Sequence, residues 1–150
     1  MDLLAITIIW GFLYLIIGIL LFLANIAIFE WWTPFNVKHA LLSVQNKAIA
    51  RIVRGNIIGQ GIMISSVIFF TGYTIDHTFL TPEVFFPSVW MTIFFGMTGM
   101  FAQNFLLWIV TKLRWVEKEL VIDQNEALGM VLEALIIAFS LIVSIVFYSY

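Results

Sequence analysis

The chain has 150 residues, of which 63% are hydrophobic and 11% charged, with a net charge of −2. Soluble domains run nearer half apolar and a quarter charged, and a chain this short has too much surface for its volume to hide the excess from water. A water-soluble domain and a basic nucleic-acid binder are therefore excluded, and lipid is the expected solvent.

Four apolar stretches appear in order. The first runs from Leu3 to Phe29. It starts with Asp2 rather than a basic residue, is too long for a signal-peptide core and meets Glu30, Trp31 and Trp32 instead of a small-residue cleavage site. It reads as a retained span. Pro34 biases Thr33 away from helix. From Phe35 to Gln45, apolar residues interleave with Lys38 and His39, which suits a short surface helix. The second span runs from Gly55 to Ile75, with an amphipathic lead-in from Asn46. Asp76 to Pro87 forms a loop bounded by Thr81, Pro82 and Pro87, in which Pro82 and Pro87 imply an ordered turn. The third span covers Ser88 to Thr111 and the fourth Ala127 to Phe147. Asp123 is a good N-cap for the fourth, with Glu126 completing a capping box. Each stretch crosses a hydrocarbon core of about 30 Å as helix. None alternates as a membrane strand would. The spans consume nearly all of these residues, leaving no soluble domain among them.

Orientation follows from the basic residues. Lys38, Lys47, Arg51 and Arg54 lie in or just after the first loop, and Lys112, Arg114 and Lys118 in the third. The second loop has Asp76, His77 and Glu83 but no Lys or Arg. The positive-inside rule makes the first and third loops cytoplasmic and both termini extracytoplasmic, in a plasma (bacterial inner) membrane. Trp31, Trp32, Trp108 and Trp115 belong to the cytoplasmic boundary.

Gln45-Asn46-Lys47-Ala48 returns as Gln124-Asn125-Glu126-Ala127, 79 positions later. The same offset carries Asn25 to Asn104, Ser65 to Ser144 and Arg54 to Glu133. The chain reads as two two-span repeats, residues 1–78 and 79–150. Two spans per copy make them parallel, related by an axis along the membrane normal. The expected fold is an all-α, polytopic bundle of four transmembrane helices.

These motifs resemble the YjfL-like integral membrane proteins, the family labelled domain of unknown function 350. Asn46-Lys47-Ala48 precedes Gly55, Gly59 and Gly61, and Asn125-Glu126-Ala127 precedes Gly129. Ala134 and Ala138 stand where the first repeat has Gly55 and Gly59. The resemblance implies paired two-span repeats and a loose link to membrane assembly. It implies no biochemical activity.

The chemistry-bearing residues are few. There is no cysteine, so no disulfide, thiolate site or thiol nucleophile exists. His39 and His77 lie outside any metal-binding spacing. No catalytic site, cofactor or metal is expected. Gly55, Gly59 and Ser66 share a face suited to close helix packing, within the chain or between copies. Asn25, Asn56, Asn104, Gln60 and Gln103 are amides at or near membrane depth, read either as an interhelical clasp or as a polar lining. Arg54 and Glu133 read either as an interhelical ion pair or as snorkelling charges. Lys47, Arg51 and Arg54 recur on one basic face at the N-terminal end of the second helix. The dipole disfavours cations there, which points to anionic lipid or a protein partner.

The expected function is a non-enzymatic membrane scaffold or anchor subunit. Its partners are the lipid bilayer and either further copies or other proteins, met through residues 30–46 and 112–125. A small ion or solute channel is the alternative. The topology is directly testable because the chain lacks cysteine. In His77→Cys, an impermeant maleimide added to intact cells should label the new thiol; labelling only from the cytoplasm would overturn the orientation.

Overall fold

A computed structural model describes residues 3–73 and 82–148. They form α1 (Leu3–Trp32), α2 (Val37–Leu42), α3 (Lys47–Tyr73), α4 (Pro82–Thr111), α5 (Arg114–Val121) and α6 (Glu126–Tyr148). The chain is all-α. Four helices carry stretches long and apolar enough to cross a membrane: Gly11–Trp32, Lys47–Phe69, Val89–Thr111 and Glu126–Val146. It is a multi-pass membrane protein, because a backbone crossing lipid must satisfy its own hydrogen bonds.

The boundaries depart from the sequence reading in places. The lead-in after Asn46 and the span that follows join in one unbroken helix, α3, from Lys47 to Tyr73. Asn46 caps its first turn, its Oδ1 accepting from the Ile49 N–H at 3.1 Å. The fourth span is capped by Asn125, not Asp123: Asn125 Oδ1 accepts from the Leu128 N–H at 3.2 Å. Asp123 lies two residues too early, because Gln124 takes φ 50° between it and the cap. Gln45 does the same before Asn46, with φ 53°. These left-handed residues let the Asn46 and Asn125 N–H groups reach back to the Ala40 and Glu119 carbonyls, both at 2.9 Å. The turn expected through Pro82 and Pro87 is also corrected: α4 begins at Pro82 and contains Pro87. Proline suits the first helical position, where its absent N–H would lack a partner anyway. Pro87 sits in the second turn, where it costs one backbone bond. Asp76, His77 and Thr81 lie outside the described residues.

Glycine sets the tightest contact, between α3 and α6. A Cβ on Gly129 would lie 2.6 Å from the Ala48 carbonyl oxygen and 2.8 Å from its Cα. One on Gly55 would lie 2.9 Å from the Glu133 Cα, and Gly59 faces Ser140. Position numbers rise together along both helices, so α3 and α6 run in the same direction. Small residues allow backbones in lipid to approach and gain dispersion contacts. Helix α1 runs in the opposite sense to α3, with Gly18 on Ile64 and Ile68. Leu21 packs on Gly96 of α4.

Two apolar clusters form the interior. One, at the charged end, includes Phe29, Ile52, Leu107 and Ile136, roofed by Val37 and Ala40 of α2 and by Val116 and Leu120 of α5. The other joins Ile17, Leu21 and Ile64 nearer the opposite end. The outer faces stay apolar, with Phe12, Leu20, Phe94 and Ile142 at least half exposed. Aromatics mark the charged boundary: Trp32 packs on Phe101, and Lys112 Nζ lies 4.3 Å from the Trp108 ring centroid.

Gly129→Ala should destabilise the bundle by about 1–3 kcal/mol, since backbone atoms cannot make way. Gly61→Ala should be neutral or slightly stabilising, because nothing lies within 4 Å of its added Cβ. Unfolding of each variant in detergent micelles, followed by circular dichroism, checks the pair; equal stabilities would refute the packing account.

Candidate functional site

Between the two apolar clusters lies a polar layer. Asn25 of α1, Asn56 of α3 and Asn104 of α4 form a closed ring of amides. Asn25 Nδ2 donates to Asn56 Oδ1 at 2.6 Å, Asn56 Nδ2 to Asn104 Oδ1 at 3.1 Å, and Asn104 Nδ2 to Asn25 Oδ1 at 2.7 Å. All three residues are buried. In lipid an amide has no solvent partner, so helices are driven to supply one another's. Asn104 Nδ2 also donates to the Met100 carbonyl at 2.9 Å.

The layer extends to α6. Gln103 Nε2 donates to the Asn56 carbonyl at 3.1 Å, and Ser140 Oγ donates to Gln103 Oε1 at 3.2 Å. Gln60, one turn beyond Asn56, is fully buried, and neither its Oε1 nor its Nε2 has a partner. It is the exception in an otherwise bonded layer.

Toward the charged end, the ion pairs join α3 to α6. Arg54 Nε donates to Glu133 Oε1. Arg51 Nε and Nη2 both donate to Glu126 Oε1, at 3.2 and 2.9 Å, and Arg51 Nη1 lies 3.9 Å from Glu133 Oε2. The Glu133 side chain is 8% exposed and that of Arg54 56%. The acid is thus inside the bundle and the base at its edge. A buried carboxylate is costly without a partner, and the close backbone approach at Gly55 brings Glu133 within reach of Arg54. Lys47 remains exposed on the same helix. Asn46 Nδ2 donates across to the Leu120 carbonyl at 2.7 Å, tying α3 to the end of α5.

The packing and polar residues singled out in the sequence each have a place. Gly55 and Gly59 lie in the α3–α6 seam. Ser66 is half-buried, donates back to the Ile62 carbonyl at 2.8 Å and lines an open groove of about 490 Å³ between the same helices. The ring takes in Asn56, which the repeat offset does not pair with another Asn. The pairing of Arg51 with Glu126 also lies off that offset; it was visible only as opposite charges near the starts of the two helices. Among the described residues no three metal-ligating side chains come together.

Removing one amide from the ring strands the donor and acceptor of its neighbours. Asn56→Leu should cost about 1–2 kcal/mol, given about 0.6 kcal/mol on average per interhelical bond. The triple variant Asn25→Leu, Asn56→Leu, Asn104→Leu should lose far less than the sum of the three single losses. Strict additivity in detergent unfolding would show that the three do not act as a unit. Loss of Arg54 or Glu133 alone should weaken folding, and the double variant Arg54→Gln, Glu133→Gln should recover part of it.

Comparison with known proteins adds one result. No curated protein and no solved structure matches the chain. Residues 3–147, which span all four crossing helices and the polar layer, match the family described as Domain of Unknown Function (DUF350), and the chain belongs to that family.

Proposed function

We propose that the protein is a non-enzymatic scaffold or anchor subunit of the membrane, working within an oligomer or larger complex. The closed amide ring carries this reading. Asn25, Asn56 and Asn104 spend their hydrogen-bonding groups on one another, which suits holding helices together better than lining a path. The short helices α2 and α5, with the cap after α5, add an outward apolar surface: Leu42 is 72%, Trp115 61% and Ile122 69% exposed. That surface suits the membrane interface or a docking protein, through residues 30–46 and 112–125.

The reading includes an architecture of two parallel repeats, residues 1–78 and 79–150. Supporting it, α1 and α4 begin at Leu3 and Pro82, and α3 and α6 at Lys47 and Glu126. Both pairs are separated by the spacing that joins Asn25 to Asn104 and Arg54 to Glu133. Gln45 and Gln124 share a left-handed backbone, and Asn46 and Asn125 share the capping role. The orientation that fits the charges puts α2 and α5 in the cytoplasm of a bacterial cell and both termini outside.

A channel or transporter is the second reading, and Gln60 favours it: an unpartnered amide at the centre of a membrane bundle suits a passing polar solute. Purified protein in liposomes separates the two. The scaffold reading expects a stable oligomer with no flux of sodium, potassium, chloride or protons. Selective flux that Gln60→Leu abolishes would establish the channel instead.

A further inference from the structure

Helix α3 has one outward stripe: Arg54, Ile58, Gly61 and Ser65, spaced four, three and four apart. At its charged end stands Arg54, whose Nε is held by Glu133. Its two terminal nitrogens have no partner among the described residues. Two turns before it, Lys47 is exposed. With Arg51, this patch holds three cations against Glu126 and Glu133, an excess of one positive charge.

Below Arg54 the stripe opens into a groove of about 320 Å³ between α1 and α3, whose lining includes Leu15, Ile19, Phe22, Gly61 and Ser65. Gly61 is the odd member. It takes no part in the α3–α6 seam, and a Cβ there would meet nothing within 4 Å. Glycine inside a helix costs about 1 kcal/mol relative to alanine, and helix packing does not explain it here. From Arg54 to Ser65 the helix descends about 16 Å. One leaflet of hydrocarbon is about 15 Å deep.

We propose that this stripe binds one anionic phospholipid, its phosphate on the free nitrogens of Arg54 with Lys47 nearby, and one acyl chain in the groove over Gly61. Charge decides the occupant. A second protein helix would have to bring an acid to the depth of Arg54, whereas a lipid phosphate already lies at the surface above the hydrocarbon that fills the groove. The guanidinium fork suits a phosphate, and its attachment to Glu133 fixes its direction. This inference goes beyond the scaffold reading and stands whether or not that reading holds.

The test is native mass spectrometry of delipidated protein titrated with phosphatidylglycerol or with phosphatidylcholine of the same chain length. The wild type should retain one phosphatidylglycerol per chain, with a preference of about tenfold over phosphatidylcholine. Arg54→Gln should remove that preference. Gly61→Leu, which fills the groove and leaves every ion pair intact, should weaken retention by about tenfold with unchanged unfolding. Lys118→Gln, an exposed cation elsewhere on the charged side, should change neither. Equal retention of the two lipids by the wild type would overturn the site. So would full retention in Gly61→Leu, which shows diffuse charge attraction only. If Arg54→Gln does not fold, Gly61→Leu decides alone.

Discussion

Lipid offers no hydrogen bonds, and that constraint governs this molecule. A polar group below the headgroups is answered from within the chain or carries a cost, and Gln60 is the one amide of the layer left unanswered. The three asparagines answer one another, and in doing so they fix how three helices stand in depth. A slide of α1, α3 or α4 by one turn would move an amide by about 5.4 Å and open the ring. Apolar packing alone is forgiving of such slides in lipid, because tails and side chains are equally apolar. The amides supply the register that hydrophobicity cannot.

The seam between α3 and α6 depends on a different economy of size. Glycine at 55, 59 and 129 brings the two backbones together, and that closeness carries Glu133 inside the bundle. The same closeness brings Arg54 and Arg51 to it. Close packing creates the buried acid and supplies its partners in one step. The polar layer then reaches the seam through Gln103 and Ser140, so α6 is bonded to the ring although it contributes no amide to it.

Much of this architecture was legible in the sequence, for reasons that can be stated residue by residue. The spans were readable because long continuous apolarity has one structural outcome in lipid. Trp32 and Pro34 marked the end of α1. Other features depend on distances no local pattern encodes. Asn56 lies 31 positions from Asn25 and 48 from Asn104, and neither interval is a repeat or a helical period. Asp123 and Asn125 are both good caps by type, and only the left-handed turn at Gln124 decides between them. Pro87 has the chemistry of a turn, yet it sits near enough to the start of α4 for the helix to absorb it. The open space over Gly61 is a property of its neighbours, not of glycine.

The amide ring also has a sense of circulation. Asn104 Nδ2 faces the Met100 carbonyl, and only a donor can stand there. That one backbone oxygen orients Asn104, which orients Asn56 as its donor, which orients Asn25 in turn. Reversal would need all three side chains to turn over together and would set an oxygen against an oxygen at Met100. With the three amides head to tail, their dipoles chase one another around the ring and largely cancel at a distance. A group that is strongly polar at contact range becomes nearly silent to an ion a few ångströms away. A low-dielectric core magnifies any uncancelled field, so this arrangement lets the helices be fastened inside the membrane without creating an electrostatic well there.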